Sequence, residues 1–139
     1  MSTSDMGWGH TVTLRQTFAA TGKADGQGNA VEFKIGQGVV LIHGDIMPVG
    51  TPVTQWLEMG VVIERLEDDG TTWLEVFDGR FAKIFNVGQG RIQGDPLDLP
   101  YSVPMKFGSA TRQDGDRSRV ARKYRAYIYI VSQSAGARS

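Results

Sequence analysis

Apolar and polar residues alternate along this chain in short runs, the period of half-buried strands. Between His10 and Ala20, Val12, Leu14 and Phe18 fall on one side and Thr11, Thr13 and Arg15 on the other. Val31, Phe33 and Ile35 alternate with Glu32 and Lys34, which predicts a second strand. Gly36-Gln37-Gly38 interrupts it as a bulge or bend, and Val39–His43 continues as a short buried strand. Thr54–Glu67 is ambiguous in period. Its Val61-Val62-Ile63 run is β-branched, and Gly60 would cost a helix interior about 1 kcal/mol, so Val61–Glu67 reads as strand. Arg119–Ser132 alternates again. Tyr127–Val131 is apolar on both faces, which places it in the middle of a sheet.

The breaks between these runs carry turn chemistry. Thr21–Asn29 reads as a loop, as does the segment marked by Pro48, Gly50 and Pro52. Asp69-Gly70 and Asp78-Gly79 are both dipeptides that favour type I′ hairpin turns. Together they predict a three-strand meander of Val61–Asp68, Thr71–Phe77 and Arg80–Val87. Two-residue loops would group Ile63, Val76 and Phe81 on one face, and Leu66, Trp73 and Ile84 on the other. The same register sets Glu64 beside Glu75, an unfavourable pair unless a basic side chain covers it or a loop is longer. Gly88–Pro104 reads as a long connection whose prolines confine any strand there to an edge, and Met105-Lys106-Phe107 as a short strand.

Strands with glycine and proline loops between them predict an all-β, two-sheet β-sandwich, jelly-roll-like with Greek-key crossings. The expected organisation is a polar, flexible arm over Met1–Gly9, one domain over residues 10–132, and a polar tail over Gln133–Ser139. The 139 residues suffice for a core without disulfides, and the absence of cysteine excludes thiolate metal sites. The first residues lack the apolar core of a signal peptide, and no apolar run is long enough to span a bilayer. The expected location is therefore soluble, either cytoplasmic or within a virus particle.

Charge changes this picture more than composition does. The formal net charge is zero. Yet Glu58, Glu64, Glu67, Asp68, Asp69, Glu75 and Asp78 face only Arg65 in their stretch, while Arg112, Arg117, Arg119, Arg122, Lys123 and Arg125 crowd a later one. Such segments attract each other within a fold or between copies. The basic run with Tyr124, Tyr127 and Tyr129 suggests nucleic acid, but phosphate binding favours a net positive domain.

Candidate chemistry is sparse. His43-Gly44-Asp45 has the His-x-Asp form of an iron facial triad, which needs a second histidine; none follows, and His10 is the only other. These residues read instead as a strand-end histidine and a turn aspartate. Asp114-Gly115-Asp116 lacks the further oxygen ligands of a calcium loop. No nucleophile elbow, Walker loop or dinucleotide fingerprint occurs. Trp73 is mid-strand and is assigned to the core, whereas Trp8 and Trp56 lie near loops and could form a stacking platform.

The sequence thus points to a non-enzymatic structural or assembly protein without cofactor or metal, forming homo-oligomers as a virion-type component such as a capsid or decoration protein. Its expected partners are copies of itself and other proteins of a larger assembly. The expected self-association residues are Arg119, Arg122, Lys123 and Arg125 on one side and Glu64, Glu67, Asp68 and Asp69 on the other. The alternative is a lectin-like carbohydrate-binding β-sandwich using Trp8 and Trp56.

Overall fold

A computed structural model describes residues 10–17, 20–36, 38–47, 56–85, 97–100, 102–107 and 122–134. The elements in chain order are β1 (His10–Thr17), α1 (Lys23–Gln27), β2 (Val31–Ile35), β3 (Gly38–Met47), β4 (Trp56–Leu66), β5 (Trp73–Arg80), β6 (Ile84–Phe85), β7 (Leu97–Asp98), β8 (Val103–Phe107) and β9 (Arg122–Gln133). The chain is all-β, and its described residues form two sheets with one short helix. No helix among the described residues is long and apolar enough to cross a membrane.

The larger sheet has the order β2-β9-β4-β5, with β6 also on β4. In the smaller sheet β3 lies between β1 and the β7 and β8 strands. The two-sided apolarity of Tyr127–Val131 has the predicted consequence: β9 is central, antiparallel to both β2 and β4. The predicted bend at Gly36–Gly38 is where the chain leaves the larger sheet for the smaller one, and Gly38 has φ 123°. β1 runs parallel to β3, from His10 beside Val40 to Thr17 beside Met47. Pro104 does lie on an edge strand, opposite Leu41.

The core lies between the sheets. Val12 and Leu14 of β1, Val40, Ile42 and Ile46 of β3, and Met105 and Phe107 of β8 are buried against Phe33, Ile35, Met59, Val61, Ile63, Tyr124, Ala126, Ile128 and Ile130 of the larger sheet. Each such side chain contributes roughly 1.5–3 kcal/mol by leaving water. Phe33 stacks on Tyr124 at 5.7 Å and Phe107 tilts onto the same ring at 4.8 Å. A smaller apolar cluster, Val62, Tyr127 and Tyr129 with Ala30 and Val131, lies on the other face of the larger sheet. There Gly26 of α1 presses directly on the Ile128 carbonyl, so a Cβ at that position would lift the helix off β9.

Several expectations need correction. Thr21–Asn29 contains α1 instead of only loop. Asp78-Gly79 is no turn: both residues lie inside β5, opposite Val62 and Val61, and Gly79 is not left-handed. The expected third strand is instead β6, which follows Phe81–Lys83 and pairs with the same edge of β4. β4 runs for 11 residues and so offers more edge than Trp73–Phe77 alone could fill. Ile84 accordingly meets Leu57, while Leu66 and Trp73 are partners as expected. Ile63 and Phe81 share the core, with Val76 packed against it. The first turn is a hairpin, but with four loop residues, Asp68–Thr71, closed by the Glu67 N–H donating to the Thr72 carbonyl at 2.8 Å. Gly70 supplies its left-handed residue, φ 77°. At the other end, β9 runs through Gln133, and the Ser134 N–H still donates to the Trp56 carbonyl at 3.1 Å. The arm over Met1–Gly9 lies outside the described residues.

Candidate functional site

Of the charged residues singled out in the sequence, Glu64, Glu75, Asp78, Lys123 and Arg125 lie on the outer face of the larger sheet. Alternation sends Glu64 of β4, Arg125 of β9 and Trp73 of β5 to that face. Arg125 Nε donates to Glu64 Oε1 at 2.6 Å, and its guanidinium lies 4.4 Å from the centre of the Trp73 ring. Trp73 is thus half-buried under an arginine and outside the core, because its strand face is the one away from the other sheet. Arg122 Nη2 donates to Asp68 Oδ1 at 3.0 Å. Lys123 turns to Glu32 of β2 at 3.3 Å, and Glu67 is met by Arg65 at 3.3 Å. Arg119 lies outside the described residues. The acidic and basic segments therefore do meet, and they do so within one chain.

Asp69 works on its own loop. Its carboxylate accepts the Thr71 and Thr72 N–H groups, both at 2.8 Å, and the Thr72 hydroxyl at 2.5 Å. Those bonds, the Thr72 hydroxyl first, lower its pKa to about 2.

A second cluster joins α1 to the sheet. Lys23 Nζ reaches Glu75 Oε1 at 2.8 Å and Asp78 Oδ2 at 3.0 Å. The Tyr129 hydroxyl donates to Asp78 Oδ1 at 2.9 Å. Hydrogen bonds to Glu75 and then Asp78 raise the Lys23 pKa. Burial pushes Asp78 upward, but the bonds from Lys23 and Tyr129 outweigh it and hold its pKa below the usual range. Burial, followed by the bond to Asp78, raises Tyr129. Both members of the Lys23–Asp78 pair are held in their charged forms, and the cluster clamps α1 to β5 and β9. Sequence reading missed Lys23, which sat in an assumed loop; only its position at the start of a short helix distinguishes it.

His43 and Asp45 both lie within β3, not at a strand end or turn, and share its solvent face. Asp45 is held by Arg15, whose Nε and Nη2 donate to its two oxygens at 2.8 and 2.9 Å. Among the described residues, no three His, Cys, Asp or Glu side chains come together as a metal site.

The remaining candidate is aromatic. Trp56, at the start of β4, has Phe85 of β6 as its direct cross-strand partner. Phe85 is 65% exposed, the most open of the large apolar side chains among the described residues. Lys83 Nζ sits 4.3 Å from the Trp56 ring centre. Glu58 lies two residues on and accepts from the Ser132 hydroxyl at 3.0 Å. Trp8, the other expected platform residue, lies outside the described residues. The sequence does not single out Phe85, because its exposure depends on β6 pairing with β4. Comparison with known protein families, with curated proteins and with solved structures gives no match.

Proposed function

We propose that this protein is a non-enzymatic structural module that assembles with copies of itself, as a component of a virus-particle type of assembly. The observation that carries the reading is the Trp56–Phe85 pair. An open phenylalanine beside an indole and a lysine is the composition that subunit interfaces bury: aromatic anchors with a polar rim. Arg122, Lys123 and Arg125 engage acids of their own chain, so the interface is assigned to this aromatic pair and not to those three facing another copy's acids. A capsid, tube or decoration layer needs such a self-complementary surface and no catalytic group.

The finer reading of the sandwich as jelly-roll-like belongs to the same proposal. Its support is the nested pairing of β2 with β9 and β3 with β8, as produced when a long hairpin is wrapped over itself. The parallel β1–β3 pair is an addition to that pattern.

The same aromatic pair favours the second reading, a carbohydrate platform, although Lys83 already lies over the indole. Sedimentation over a range of concentrations, with a glycan array on the same samples, separates the two. Self-association that Phe85→Glu weakens about tenfold or more supports the assembly reading. A wild type that is strictly monomeric at high micromolar concentration defeats it, and glycan binding lost in Trp56→Ala would put the lectin in its place.

A further inference from the structure

Each sheet has two edges among the described residues, and an open edge is a template for a further strand. Three of these edges carry blocking devices. β2 is short and bears Glu32 and Lys34. β5 has an irregular register beside Ile63 and Glu64, with Lys23 drawn across it to Glu75 and Asp78. The β8 edge contains Pro104, which has no N–H to offer. β1 has neither proline nor an irregular register, and its one charge, Arg15, is paired with Asp45 of the neighbouring strand. Its 8 residues pair with β3 without a break, and His10–Thr17 contains no proline, no lysine and no inward-pointing charge.

Its backbone orientation follows from one contact. The Leu14 carbonyl oxygen lies against Gly44 of β3. Alternate residues of a strand direct their backbone groups to opposite sides. Val12, Leu14 and Gln16 therefore bond toward β3, and Thr11, Thr13, Arg15 and Thr17 direct N–H and C=O outward.

We propose that this edge pairs antiparallel with the β1 edge of a second copy, merging two smaller sheets into one continuous sheet. The inference rests on the self-assembly reading and names one of its interfaces, separate from the Phe85 surface. A twofold axis at Leu14 uses the outward groups of Thr13 and Arg15, the Thr11 N–H and the Thr17 carbonyl; the Thr17 N–H is already donated to Gln16 Oε1. Thr13 of each copy lies opposite Arg15 of the other, exchanging two hydrogen bonds, and Thr11 lies opposite Thr17, where the Thr11 N–H donates to the Thr17 carbonyl. Axes at Val12 or Gln16 would match fewer of the described β1 residues with one another. A second copy fits because the edge does not repel itself: the single charge, Arg15, is neutralised by Asp45 in its own chain and meets a threonine across the axis. The β-branched Thr side chains also suit a strand on either side of that axis.

The test uses two kinds of variant. Thr13→Pro removes an outward N–H and leaves the bonds to β3 in place. It is expected to weaken self-association at least tenfold by sedimentation velocity, with an unchanged far-UV circular dichroism spectrum. The native chain has no cysteine. Mixing Thr13→Cys with Arg15→Cys chains under mild oxidation is therefore expected to give a mixed disulfide dimer, while Thr13→Cys alone stays unlinked. The opposed Cα atoms, about 5.5 Å apart, suit a disulfide. If Thr13→Pro does not fold, the disulfide pattern decides alone. A wild type that assembles yet gives no mixed disulfide overturns the β1 pairing and leaves self-assembly standing. A monomeric wild type overturns both.

Discussion

Glu64 and Glu75 are direct cross-strand partners, yet each carboxylate is held by a different cation, Arg125 for the first and Lys23 for the second. Like charges opposite each other destabilise a ladder. Here the repulsion is cancelled from both sides, by the central strand and by the helix. The hairpin and α1 are thereby tied to β9 through the same pair of acids.

The first prediction follows from that arrangement. Arg125→Ala removes a charge-assisted hydrogen bond, leaves a mostly buried Glu64 unpaired and uncovers Trp73. The expected cost is about 1.5–3 kcal/mol, more than an exposed ion pair would give. Urea unfolding measures it. Coupling with Glu64→Gln in a double-mutant cycle near zero would show that the pair is incidental.

The second concerns pH. Asp69 has its folded pKa lowered from 3.8 to about 2, so its contribution is present above 3.8 and is lost as pH falls toward about 2. Lys23 has its folded pKa raised from 10.5, so its contribution is full below 10.5 and is lost as pH climbs through the raised value. Asp69→Asn should be less stable than wild type at neutral pH, with the difference closing on the acid side. Lys23→Met should lose its difference on the alkaline side. Melting temperatures across the pH range read both, and a difference that stays constant with pH would refute the corresponding assignment.

The third separates the two Asp-Gly dipeptides. Gly70 is left-handed, and Gly70→Val is expected to cost roughly 1–2 kcal/mol from the backbone alone. At Gly79 a Cβ meets only the Phe77 ring, a side chain that can move. Gly79→Ala should therefore perturb the Phe77 environment, seen in near-ultraviolet circular dichroism, with a smaller loss of stability. The reverse ranking would restore the turn at Asp78-Gly79.

The fourth addresses Gln16, buried at 2% exposure in β1. Its amide oxygen accepts from the Thr17 N–H at 2.9 Å and from Asn29, and its amide nitrogen donates to the Asp25 carbonyl at 3.3 Å. Gln16→Leu removes those bonds and strands the donors, for an expected loss of about 1–3 kcal/mol. Amide hydrogen exchange should speed up selectively over residues 21–30. Uniform exchange across the chain would argue against a local role in holding α1.

What could be read from residues alone divides by range. Strand identity was legible wherever one face is buried, as in Val31–Ile35, and the centrality of β9 followed from apolarity on both faces. The Glu64–Glu75 pairing was also legible, since it depends only on a nearby turn. Asp78-Gly79 was misread because its local preference is overruled by distant partners, Lys23, Tyr129 and the remaining length of β4. Those lie far along the chain and leave no local mark. For the same reason Phe85 could not be recognised as exposed, nor Trp73 as covered by Arg125, before the strand order was known.

The central place of β9 has a consequence for how the molecule comes into being. Residues 122–133 leave the ribosome after the strands on either side of them, β2 and β4. Among the described strands β2 pairs only with β9, whereas β4 also pairs with β5 and β6, so without β9 the two have no shared neighbour. Closure depends on contacts of high sequence separation, the kind that slows folding and leaves strand edges open to strangers. Nascent chains halted before Arg122 should thus be the aggregation-prone species, and β9, the last of the described strands, the one that ends the hazard.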